Sequence, residues 1–152
     1  MNGSVTTTYE ISGNFESEGD AQALLYAPPA GPVRYRKTTR YTFVYEGDAG
    51  ALDRFVDTAL VDAISQSAHR DTAPLWQGTA FILDYGMKGG ALDLEKEMIL
   101  SYYRTLKEPG FALTKLTLKT RIYVFGADAE PTAFVRDIVN RAIHTHEVLQ
   151  AA

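Results

Sequence analysis

Hydrophobic and polar positions alternate at the start of the chain. Val5, Thr7, Tyr9 and Ile11 fall on one side and Thr6, Thr8 and Glu10 on the other. A period of two residues marks a half-buried strand. A polar stretch through Asp20, a short apolar piece and the proline-rich "APPAGP" follow. Proline cannot donate to a ladder or sit inside a helix, so this stretch predicts a loop or a strand edge. From Val33 to Tyr45 a long strand is expected, with Val33, Tyr35, Tyr41, Phe43 and Tyr45 opposed to Arg34, Arg36, Arg40, Thr42 and Val44.

The period then changes. Leu52, Phe55, Val56, Ala59, Leu60, Ala63 and Ile64 recur at three and four residues behind a candidate N-cap, Asp48, the pattern of an amphipathic helix. Gln77 to Tyr85 predicts a buried strand, which "GMKGG" ends. Leu94, Met98, Tyr102 and Leu106 then fit a second helix closed by Pro109 and Gly110; pairing of this segment back onto the preceding strand is the alternative for residues 91–106. Phe111 to Phe125 alternates as another long strand. A last helix is expected from about Glu130 to Val148, with Asp128 as a cap and Pro131 in its first turn.

Two stretches resemble each other. Thr39 to Ile64 and Thr120 to Ile143 both read as strand, short acidic turn and helix, and Phe55, Val56, Ala63 and Ile64 fall on Phe134, Val135, Ala142 and Ile143. Internal duplication and convergence of amphipathic helices both account for the match. One α+β domain is predicted over residues 1–152, in four parts: strand and loop (1–32), strand and helix (33–70), strand, turn and helix (77–106), and a second strand and helix (111–149). The expected architecture is a two-layer sandwich of ferredoxin-like type, with helices on one face of a mainly antiparallel sheet and the N-terminal strand at one edge. A three-layer α/β arrangement is the alternative.

At 152 residues and 45% hydrophobic, the chain can bury a core without a staple. With no cysteine, disulfides and thiolate chemistry are excluded. No membrane-length apolar run and no basic, then apolar, leader precede the first strand, so a soluble, cytoplasmic protein is expected. The net charge of −4 argues against indiscriminate binding to nucleic acid, yet "RYRKTTRY" places four cations within eight positions. In the sheet model Arg34, Arg36, Arg40, Lys115, Lys119 and Arg121 share the uncovered face with Tyr123. That would be a basic, aromatic patch suited to single-stranded RNA or DNA, or to a protein partner.

Other candidate chemistry is sparse. Gly86, Lys88, Gly89 and Gly90 form a turn whose amides could cradle a phosphate, and Asp84 beside it could serve as a general base. His144 and His146, two apart on a predicted helix, would diverge too far to share a metal, and His146 extends a buried stripe. His69, with Arg70 and Asp71, would sit past a helix as a partner of its C-terminal dipole. No cofactor and no catalytic set is predicted. The expected function is a non-catalytic interaction or assembly domain, a homo-oligomer working through its sheet face or edges. Single-stranded RNA or DNA binding through the basic sheet face is the alternative, and a small-molecule enzyme using Asp84 and the "GMKGG" turn is the second alternative.

Overall fold

The computed structural model describes residues 3–70 and 73–150. Among them the elements run β1 (Val5–Gly13), β2 (Gly19–Asp20), β3 (Arg34–Gly47), α1 (Ala49–Ala59), β4 (Gln66–Arg70), β5 (Phe81–Met87), α2 (Leu94–Thr105), β6 (Phe111–Phe125), α3 (Pro131–Ile138) and β7 (His144–Gln150). The seven strands form one antiparallel sheet in the order β4-β1-β3-β6-β5-β7, with β2 added on β3. This corrects the expected ferredoxin-like sandwich, which has too few strands, and the three-layer alternative, which requires a parallel sheet covered on both faces.

The difference arises at two places where turn chemistry ends a helix early. α1 stops at Ala59 because the Asp62 carboxylate accepts from the backbone amides of Ile64 and Ser65, at 2.9 and 3.0 Å. In the last segment, Asn140 Oδ1 accepts from Ala142 N–H at 3.0 Å while Asn140 N–H donates to His144 Nδ1 at 3.0 Å. Short polar side chains that bond the backbone two or three residues on compete with helix continuation. The chain thus leaves each helix and forms an edge strand, β4 or β7, where the apolar spacing predicts more helix.

The described chain divides into two compact units. The first comprises Met1–Phe15, Arg40–Thr72 and Leu92–Leu118. Its core sets Leu52, Phe55 and Val56 of α1 and Ile99 of α2 against Tyr9, Ile11, Tyr41, Phe43, Leu116 and Leu118 of the strands. Asp48 caps α1 as expected, accepting from Gly50 N–H at 3.1 Å. Residues 94–105 are helical, capped by Asp93, but the helix is turned about its axis from the expected orientation. Ile99 is buried, whereas Leu94, Met98 and Tyr102 are 68%, 73% and 41% exposed.

The second unit comprises Glu16–Thr39, Ala73–Ala91 and Lys119–Ala152. Phe134, Val135 and Val139 pack on Val33, Phe81, Leu83, Ile122 and Val124. Pro131 occupies the first turn of α3, and Glu130, not Asp128, holds the cap position.

The connectivity within the two units is the same. A long strand (β3 or β6) leads to a helix (α1 or α3) and then to a short strand (β4 or β7), which pairs antiparallel with β1 or β5. Even the strand-to-helix turns correspond. Gly47 and Gly126 have φ of 120° and 130°, and a Cβ would lie 2.8 Å from Gly110 O in the first and 2.6 Å from Pro32 O in the second. Only glycine accommodates both the backbone angle and the close approach.

Candidate functional site

The side of the sheet away from the helices is polar in the first unit, and in the second it mixes charged groups with the buried Ile82 and Tyr123. In the first, Ser12 lies opposite Ser67 and Glu10 opposite His69 across the β1–β4 pair. Ser12 Oγ and His69 Nε2 are 3.1 Å apart; His69 therefore belongs to an edge strand, not to a helix terminus, and Asp71 lies outside the described residues. Thr8 and Thr42 share a hydroxyl hydrogen bond of 2.9 Å. Arg40 comes within 3.9 Å of the buried Glu10 carboxylate. Lys115 is exposed, but the alternation slips beside it. Burial passes from Phe111 and Leu113 to Leu116 and Leu118, and Thr114 and Lys115 are both exposed.

In the second unit most of the cations are held internally. Arg121 makes a two-pronged contact with Asp84, Nε to Oδ1 at 2.7 Å and Nη2 to Oδ2 at 2.8 Å, and both side chains are buried. The two residues are opposite each other in the β5–β6 pair, which places them on one face. Tyr123 is fully buried; its hydroxyl accepts from Leu75 N–H at 3.1 Å and its ring meets Trp76 edge-on at 4.7 Å. The Arg36 guanidinium sits 4.1 Å from the Trp76 ring centroid and donates to Glu16 O at 3.0 Å. Arg34 donates to Glu18 O at 2.7 Å. Lys119 is exposed. Trp76, whose sequence signal was only its status as the lone tryptophan, organises much of this face.

The period-two pattern thus gives the pleat parity of Arg36, Lys119 and Arg121, while their partners come from segments remote in sequence. Arg121 and Tyr123 offer no free surface to a ligand. Asp84 lies inside β5, tied to Arg121, rather than at a strand end. Gly86 also belongs to β5. Lys88 donates its backbone amide to Ile143 O at 2.7 Å, and its carbonyl accepts from Ala91 N–H at 3.0 Å, closing a turn over Gly89 and Gly90. The N-terminus of α2 is itself occupied, since Asp93 accepts from Lys96 N–H at 3.1 Å.

β7 places His144 and His146 on the same side, because residues two apart on a strand share a face. His144 is engaged by Asn140 and stacks edge-on with Tyr85 at 5.2 Å. Among the described residues, no group of three histidines, cysteines or acids could hold a metal ion. No helix of the described residues is long and apolar enough to cross a membrane.

Two of the concavities lie beside the helices. In the first unit, a cavity of about 460 Å³ is lined by Tyr41, Leu60, Glu95, Met98, Ile99 and Tyr102. The Tyr41 hydroxyl donates to Glu95; burial and that carboxylate raise the phenol well above its ordinary pKa. In the second, a groove of about 500 Å³ runs between α3 and the edge strand β7, with Val135, Val139 and Val148 in its walls and Arg136, Arg141 and His146 at its polar positions. Comparison with protein-family models, curated protein sequences and solved structures finds no match to this chain.

Proposed function

We propose that this domain is a non-catalytic assembly module that associates with other chains, copies of itself included, through the edges of its sheet. The observation that carries the reading is that β4 and β7 stand at the two ends of the strand order, each with one neighbour among the described residues. An end strand presents unpaired backbone N–H and C=O groups, and proteins that avoid association blunt such edges with proline, charged side chains, a bulge or short length. "QSAHR" and "HTHEVLQ" contain neither proline nor lysine and one ionised residue each, Arg70, which is drawn back onto Asp53 of α1, and Glu147; β7, at seven residues, is the longer edge. The polar face supports the same reading by contrast. Arg40 and Arg121 face the Glu10 and Asp84 carboxylates, which leaves less net positive charge there for phosphates, while Arg34 and Arg36 are held in place by carbonyls and the Trp76 ring.

The test is the mass in solution. Light scattering across a micromolar concentration range is expected to give species above 16.8 kDa. A strict monomer at tens of micromolar, with no protein partner bound through β4 or β7, overturns the proposal.

A further inference from the structure

The two edges differ in charge at corresponding positions. After the matched Phe55-Val56 and Phe134-Val135 come Asp57 and Arg136; before the matched Ala63-Ile64 and Ala142-Ile143 come Asp62 and Arg141. All four are exposed. Each pair flanks its own edge strand. Asp53 of α1 meets Arg70 of β4 at 3.0 Å, and Asp57 lies one helical turn further along that flank. In the other unit, Arg136 and Arg141 line the groove that β7 shares with α3.

From this we infer, resting on the assembly reading above, that the occupant of the α3–β7 groove is the α1–β4 edge of a second copy. Copies then join head to tail. Charge complementarity selects this pairing. Two α1–β4 edges together would bring their flanking aspartates toward each other, two α3–β7 edges their flanking arginines, and like charges brought together at an interface are disfavoured. Asp62 is well suited to the role. Backbone hydrogen bonds from Ser65 and Ile64 hold its carboxyl below the usual range, so it stays ionised. On the other edge, Arg136 also contacts Asp137 at 2.8 Å, while Arg141 has no ion-pair partner among the described residues. The five residues of β4 can pair along β7 over roughly 17 Å at about 3.4 Å per residue. A contact between unlike surfaces does not close on itself as a two-fold dimer; it builds rings or open chains.

Two variants test the inference. In D57R/D62N both edges become neutral to basic, and asparagine keeps the side-chain oxygen that the turn requires; in R136E/R141E both edges become acidic. Light scattering is expected to show each variant alone associating at least about tenfold more weakly than the natural chain, with circular dichroism unchanged. Mixing the two restores complementary edges, and assemblies should return with the variants in alternation. Self-association that survives either reversal, or a mixture that stays dissociated, overturns the head-to-tail inference while leaving edge assembly standing. A monomeric natural chain defeats both.

Discussion

Replacing Asp84 with alanine leaves the Arg121 guanidinium in a buried position without its carboxylate. Both side chains are at most 7% exposed, and the two contacts of 2.7 and 2.8 Å satisfy the fork of the guanidinium against both carboxylate oxygens. Breaking such a pair from one side typically costs about 3–5 kcal/mol, chiefly because the remaining charge is desolvated and unpaired. Against a total stability of roughly 5–15 kcal/mol, that is a large fraction. With a urea slope near 2 kcal/mol per molar, a loss of about 4 kcal/mol lowers the unfolding midpoint by about 2 M. Glu147, opposite Asp84 on β7, is exposed and is the nearest acid in register that could soften the loss. The informative comparison is the double variant Asp84→Leu/Arg121→Met, which removes both charges and is expected to lie within about 1 kcal/mol of the natural chain. Urea titration of the natural chain, Asp84→Leu, Arg121→Met and the double variant gives the cycle, with Asp84→Ala as a further single variant. Single variants that cost less than about 1 kcal/mol, or a double variant as unstable as Asp84→Ala, would refute the account of a dry, mutually dependent pair.

Further tests address the turns, the phenols and the face. Gly126→Ala should cost at least about 2 kcal/mol, since its φ is positive and the new Cβ would meet backbone, whereas Gly78→Ala, with a φ of 76° but open space, should cost only about 1 kcal/mol; equal costs in thermal unfolding would contradict the close-approach argument. Burial and hydrogen bonds to Asp53 and Glu95 raise the Tyr9 and Tyr41 phenols, and burial raises Tyr85. The folded state therefore holds these protons more tightly than the unfolded chain. Stability should be complete below about pH 10, the ordinary phenol value, and fall above it; the alkaline slope should be shallower in Tyr9→Phe and Tyr41→Phe, and an unchanged slope would argue that these phenols are solvated. Single-stranded oligonucleotides are expected to bind weakly or not at all at physiological salt. Tight binding that falls steeply with salt and disappears in Arg36→Glu/Lys119→Glu would favour the sheet face over the edges.

The sequence by itself determined the long strands and the starts of the helices. β6 coincides with the expected span, and Asp48 and Pro131 stand where helix N-termini need them, because period, cap and proline effects all act within a few residues. It also carried the resemblance between the two strand-helix stretches and the parity that sets Arg36, Lys119 and Arg121 opposite the core. What only the tertiary structure decided were the short edge strands, since five residues such as "QSAHR" have no apolar alternation of their own and become a strand by pairing with β1. The rotation of α2 belongs to the same class: Leu94-Met98-Tyr102 and Ile99-Tyr103-Leu106 are both acceptable apolar stripes, and the shape of the core chose the second. So too does the fate of the cations. Outward parity says which side of a sheet a side chain takes; whether that side is free depends on a carboxylate, a tryptophan ring or a carbonyl brought there by residues far away in the chain.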